Sequence, residues 1–228
     1  MTFSYLLLGH LIGDFALQTD KMAENKGRQW KWTLFHSIAV TLCILVFSFP
    51  YGLLLNGLVL LNGAAHFLLD HYKAEIRRRL HLSELSSFLA DQLTHVLLLF
   101  AVSLAAADGH SPISAEAVRL LIVLVLVTSF SAVFTQFILA ALFPRAEGRF
   151  FEDGEKPVGI LTRLLLSIVL YISFFYSPYF LFLLLIVAVS YSLEYRFEWS
   201  KWMSLRHFAA KFLLDALVSA ACFLLVLL

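Results

Sequence analysis

Three histidine–aspartate pairs stand four residues apart inside strongly apolar stretches: His10/Asp14, His66/Asp70 and Asp91/His95. A spacing of four puts both side chains on one face of a helix. Chance placement would give roughly 0.5 such pairs in a chain of this composition, so three within the first hundred residues form a pattern. Imidazole nitrogens and carboxylate oxygens together suit zinc, manganese, iron and similar divalent ions. Cys43 and Cys222 lie in separate apolar stretches and form no thiolate motif. With His36 added, the candidate ligands are His10, Asp14, His36, His66, Asp70, Asp91 and His95. Seven exceed the three or four protein ligands of one zinc. Either some orient the others or two ions share the site. Asp14, Asp70 and Asp91 are the candidate catalytic carboxylates; Gln18, Gln92, Lys73 and Arg77 are candidates for contacting a substrate.

The elements that must carry these residues are membrane spans. The chain is 61% hydrophobic, only 14% charged and contains 22 Phe, with a mean hydropathy of +0.84. That balance excludes an ordinary soluble domain. At about 20 apolar residues per crossing, the chain predicts an all-α polytopic protein with about eight spans, near 3–20, 32–49, 51–73, 86–107, 115–143, 158–177, 178–196 and 207–227. Only Ser177-Pro178 separates the sixth from the seventh, and proline biases its predecessor away from helix. The first segment lacks a basic n-region and contains Asp14, so it reads as a span rather than a cleaved signal.

Charge supports this topology. Sixteen of the 17 Lys and Arg fall on alternate connections, Arg119 being the exception. The positive-inside rule makes those connections cytoplasmic and puts both termini on the opposite side. At about 1.5 Å per residue, the three pairs and His36 then share one slab of the inner leaflet. Stripes continue at steps of four through His10/Asp14/Gln18, Asn62/His66/Asp70 and Ser87/Asp91/His95. Ionisable groups at such depth are costly and by default functional, so the four faces should converge.

The polar site lies in residues 1–110, while 111–228 reads as scaffold or substrate cradle. Arg163, Glu194 and Asp215 predict an ion pair of Arg163 with one of the acids. His71, His81, His110 and His207 fall at span ends or in connections, where solvated histidine is ordinary. The mixed-charge connection from Glu147 to Lys156 predicts a loop on the inner surface, and KAEIRRRL (73–80) a cytoplasmic extension of the third helix. A net charge of +1 gives no reason to expect nucleic-acid binding, and there is no Gly-rich phosphate loop, Gly-x-Ser-x-Gly elbow or His-Glu-x-x-His.

The opening Gly9-His10-Leu11-Ile12-Gly13-Asp14-Phe15-Ala16-Leu17-Gln18-Thr19-Asp20-Lys21-Met22-Ala23, with Phe35-His36-Ser37, His66-Phe67-Leu68-Leu69-Asp70 and Asp91-Gln92-Leu93-Thr94-His95, resembles a bacterial family of uncharacterised integral membrane proteins. The resemblance covers roughly residues 1–100 and implies a bacterial inner-membrane location. A more distant likeness is to bacterial membrane-bound metal-dependent hydrolases, whose signature has Thr-His-Ser near the start of a span; here Leu34-Phe35-His36-Ser37 stands instead. Together these readings give a metal-dependent hydrolase of a membrane amphiphile, working on a phosphoester or acyl bond from the cytoplasmic leaflet. Its cofactor would be one or two divalent ions, zinc foremost, and its partners membrane lipid and a lipid-like substrate. The alternatives are a metal-ion or proton-coupled transporter and a non-enzymatic scaffold with a structural His/Asp network.

Overall fold

The computed structural model describes residues 2–106, 111, 113–143, 150–151, 154–197, 199–201 and 203–227. Among these residues ten α-helices follow one another: α1 (Thr2–Leu11), α2 (Asp20–Asn25), α3 (Trp30–Ser48), α4 (Leu53–Arg79), α5 (Glu84–Ser103), α6 (Ala115–Val125), α7 (Ser131–Leu142), α8 (Glu155–Phe175), α9 (Leu183–Phe197) and α10 (Leu205–Leu227). There is no strand among the described residues. Seven helical segments among them are long and apolar enough to cross a membrane, beginning with Trp30–Tyr51. The chain is an all-α, multi-pass membrane protein.

The N-terminal segment is shorter than the 3–20 span the sequence predicts. It consists of ten residues of α-helix and five of π-helix, Ile12–Ala16. At about 1.5 Å per residue that is roughly 22 Å, against a hydrocarbon core of about 30 Å. Leu17 closes the π-turn by donating to Ile12 O at 2.9 Å. Thr19 then starts α2 by accepting from Met22 N at 3.2 Å, an N-cap that satisfies one free helix donor. Ser83 caps α5 in the same way through Ser86 N. The sixth and seventh spans are separate: Ser177 is extended (φ −166°, ψ 132°) before Pro178, as the proline ring demands.

By its contacts the chain divides into two compact units, Met1–Val125 and Leu126–Leu228. In the first, α1 packs on α3, α5 and α6, and α3 packs on α4. The α1–α3 seam depends on Gly9 and Gly13. A Cβ at Gly9 would lie 2.6 Å from Ile44 Cα, and one at Gly13 2.6 Å from Val40 Cα. Small residues four apart let two membrane helices approach backbone to backbone, and here they are the neighbours of His10 and Asp14. The apolar core of this unit includes Tyr5, Leu6, Leu8, Val40, Ile44, Leu55, Val59 and Leu99. α4 runs through to Arg79, so KAEIRRR continues the helix as expected.

The second unit contains α7 to α10. Its core joins Tyr191, Trp199 and Met203 to Phe208 and Phe212. Arg163, as expected, pairs with an acid: Nη1 donates to Asp215 Oδ1 at 2.6 Å. Nε and Nη2 donate to Val127 O at 2.9 Å and Thr128 O at 3.2 Å, carbonyls of a second π-turn, Leu126–Phe130. His207 departs from expectation. It is buried and stacked on Phe143, ring centroids 4.8 Å apart and planes within 7°. His110 and half of the Glu147–Lys156 connection (147–149, 152–153) lie outside the described residues.

Candidate metal centre

Four helical segments of the first unit bring six of the seven candidate ligands into one buried cluster, with the seventh, Asp91, at its edge. His10 (α1), Asp14 (π-turn), His36 (α3), His66 and Asp70 (α4) and His95 (α5) are all at most 3% exposed. The Gly9/Gly13 seam holds the π-turn against α3, so Asp14 Oδ1 lies 2.9 Å from His36 Nε2. His36 Nε2 in turn lies 3.3 Å from His66 Nε2 and 3.4 Å from Asp70 Oδ2. His66 Nε2 to Asp70 Oδ2 is 3.5 Å. The His66 ring is central, with ring centroids of His95 at 4.2 Å, His36 at 5.3 Å and His10 at 5.8 Å.

Asp91 forms the rim. Its Oδ2 accepts from Lys73 Nζ at 2.7 Å, and its Oδ1 lies 3.4 Å from His95 Nε2. Gln92 ties rim to centre, donating through Nε2 to Asp14 Oδ2 at 3.0 Å and to Asp91 Oδ2 at 3.4 Å. Gln18 is not joined through its carbonyl: Oε1 is buried without a hydrogen-bond partner. The i+5 register of the π-turn breaks the step of four that sequence spacing extended to it. Arg77 pairs with Glu84 at the α4–α5 connection.

Sequence reasoning counted Lys26 only as a topology marker. The structure puts its ammonium 3.2 Å from Asp14 Oδ1, 3.2 Å from His36 Nε2 and 3.5 Å from Asp70 Oδ2. Burial opposes the charge, but Asp14, Asp70 and Asp91 outweigh it and hold the Lys26 pKa above that of an ordinary lysine. No helical period links residue 26 to residue 14. The usable signal was a lysine in the short connection leaving a polar helix face.

Two groups of ligand atoms lie within 4.8 Å of one another and could hold a metal ion: Asp14/His36/His66 and His66/Asp70/His95. His10 Nε2 and His36 Nδ1 are buried with no hydrogen-bond partner among the described residues, and Asp70 Oδ2 has only the longer contacts of 3.4–3.5 Å to His36, His66 and Lys26. Buried polar atoms are nearly always satisfied, so the cluster has capacity for a further proton or cation. Lys26 and Lys73 are set against three aspartates, which leaves one carboxylate charge to be balanced by a proton on the cluster or by a cation.

Fold and cluster together define a multi-pass, all-helical membrane protein with buried His/Asp groups able to take a cation. Residues 2–140, more than half of the chain, match the profile of a family described as protein of unknown function (DUF3307), and the chain belongs to that family. Neither curated proteins nor solved structures gave a match.

Proposed function

We propose that this cluster is a divalent-metal centre, most simply zinc, and that the protein is a metal-dependent hydrolase of a membrane amphiphile. One observation carries the metal: His36 Nε2, His66 Nε2 and Asp70 Oδ2 form a triangle with edges of 3.3, 3.4 and 3.5 Å. Ligands about 2.0–2.1 Å from a tetrahedral zinc are separated by about 3.3 Å. Asp14 and His95 extend this face toward a fourth ligand or a second ion, manganese and iron being the other fitting metals. His10 orients the set.

A bound ion would polarise a phosphoester or acyl group and activate water at neutral pH. Asp91, at the rim and less buried than Asp14 or Asp70, serves as the general base. Gln92 fixes Asp14 and Asp91 relative to each other. Lys73, with 30% of its side chain exposed, offers the first cation to an anionic headgroup, and Arg77 the next; Gln18, four residues beyond Asp14, is the remaining polar contact proposed for the substrate. Beyond the cluster each helix turns apolar, at Leu6 on α1, Val40 and Ile44 on α3, Val59 and Leu55 on α4 and Leu99 on α5. That dry layer favours an enzyme open to one face over a transporter, which needs a polar route through. The basic connections support an open face on the cytoplasmic side, and the location proposed with it is a bacterial inner membrane.

Elemental analysis of the detergent-purified protein beside Asp70→Asn tests this reading. Stoichiometric zinc, manganese or iron that disappears in the variant is expected. A metal-free wild-type protein that takes up none on reconstitution would overturn it.

A further inference from the structure

The Lys26 ammonium lies against the same atoms that would hold the ion. It is 3.2 Å from His36 Nε2 and 3.5 Å from Asp70 Oδ2, two corners of the ligand triangle, and 3.2 Å from Asp14 Oδ1. A divalent ion about 2 Å from His36 Nε2 would sit no more than about 5 Å from that ammonium. Two cations at such separation in a buried site repel strongly, and they draw on the same carboxylates.

We propose that Lys26 is a tethered competitor: its ammonium neutralises Asp14 and Asp70, and a divalent ion enters by displacing it. The local chain suits this role. Lys26 is the residue after α2, and its backbone N–H is held to Met22 O at 2.8 Å, so the anchor is fixed while the side chain is long. Gly27 follows in the left-handed region (φ 79°), and its N–H donates to Thr33 Oγ1 at 3.0 Å. The side chain is 18% exposed, so it already reaches the edge of the cluster. Lys73 differs, because its Asp91 partner is at the rim and outside the ligand triangle.

Such a competitor lowers the affinity of the centre and raises its selectivity. A weakly bound monovalent ion gains too little from the ligands to evict an ammonium held by two carboxylates. A divalent ion gains enough. The displaced ammonium, still tethered beside the centre, is also placed to meet an anionic group arriving from the cytoplasmic side.

The inference rests on the metal reading, and the test separates the two. Zinc affinity is measured by competition with a chromophoric chelator on the full-length wild-type protein, Lys26→Met and Lys26→Arg. Acylation of Lys26 is followed by mass spectrometry with and without zinc. Lys26→Met is expected to bind zinc at least about tenfold more tightly, Lys26→Arg to stay within about threefold of wild type, and zinc to increase labelling of Lys26. Zinc binding to Lys26→Met alone would also support the competitor while removing the metal reading for the native chain. Wild-type zinc binding unchanged in Lys26→Met, or labelling unmoved by zinc, would overturn this inference and leave the metal centre standing. No zinc in any of the three would overturn both.

Discussion

His66 is the one residue common to both groups of ligand atoms, Asp14/His36/His66 and His66/Asp70/His95. A His66→Gln protein should therefore lose bound metal entirely, whether the centre holds one ion or two. Disturbing a residue that merely orients a ligand weakens metal binding about 10–100-fold. Removing one of three ligands should exceed that, so at least about 100-fold, or roughly 2.7 kcal/mol, is expected. Glutamine keeps much of the volume and the hydrogen-bonding capacity, which limits collapse around the 2%-exposed site. The comparison is His10→Gln. His10 Nε2 is 4.0 Å from Asp14 Oδ2 and belongs to neither group, so its loss should weaken zinc only by the about 10–100-fold of an orienting residue, less than His66→Gln does. Both proteins would be dialysed against buffered submicromolar zinc, assayed for metal by mass spectrometry and checked for matching thermal transitions. Full zinc retention in His66→Gln, or equal loss in His10→Gln, would refute the assignment.

Other outcomes follow from particular contacts. Gln92→Leu removes the donor to Asp14 Oδ2 at 3.0 Å and should weaken zinc about 10–100-fold, read by the same chelator competition. Gly13→Val adds a side chain 2.6 Å from Val40 Cα; overpacking of this kind costs about 1–3 kcal/mol, so Tm and zinc content should fall together, while Gly57→Ala, which meets nothing within 4 Å, should change neither. Arg163→Met leaves Asp215 buried at 0% exposure without its guanidinium and should cost about 3–5 kcal/mol in a detergent unfolding titration. The double variant Arg163→Met/Asp215→Leu should recover only part of that loss, since Lys211, 3% exposed, then keeps its charge without the Asp215 carboxylate.

The spacing of four was sufficient to place each His/Asp pair on one helix face, because both residues sit within a single regular element. Which faces meet is a property of helix packing, and the decisive residues were Gly9 and Gly13, whose missing side chains let Asp14 reach His36. The π-turn was not legible either. It adds one residue to a turn of the helix, so Gln18, nominally next in the stripe, falls out of register. Lys26 escaped because a connection, not a helix, delivers it. In the second unit the sign of Arg163 was enough to foresee an acidic partner. That the same guanidinium also takes two π-turn carbonyls depends on backbone that hydropathy does not encode. A place near a span end predicts a solvated His207, yet the ring of Phe143 stacks on it.

The two buried ionic clusters of this chain argue opposite roles from the same kind of residue. In the second unit the Arg163 guanidinium donates to Asp215, Val127 O and Thr128 O, while Asp215 accepts from Arg163 at one oxygen and from Tyr191 and Lys211 at the other. Donors and acceptors are matched, so the assembly gains nothing from a further ion and serves to fix helices. In the first unit nitrogen faces nitrogen, His36 Nε2 against His66 Nε2 at 3.3 Å. Which of the two donates depends on the tautomer, but the single Nε2–H that His36 can carry faces Asp14 Oδ1, Asp70 Oδ2 and His66 Nε2 together, so it cannot satisfy all three. Buried lone pairs converging in that way are costly unless a proton or a cation stands among them. Lys26 supplies one positive charge at the edge of the convergence, and it is held by a side chain able to withdraw.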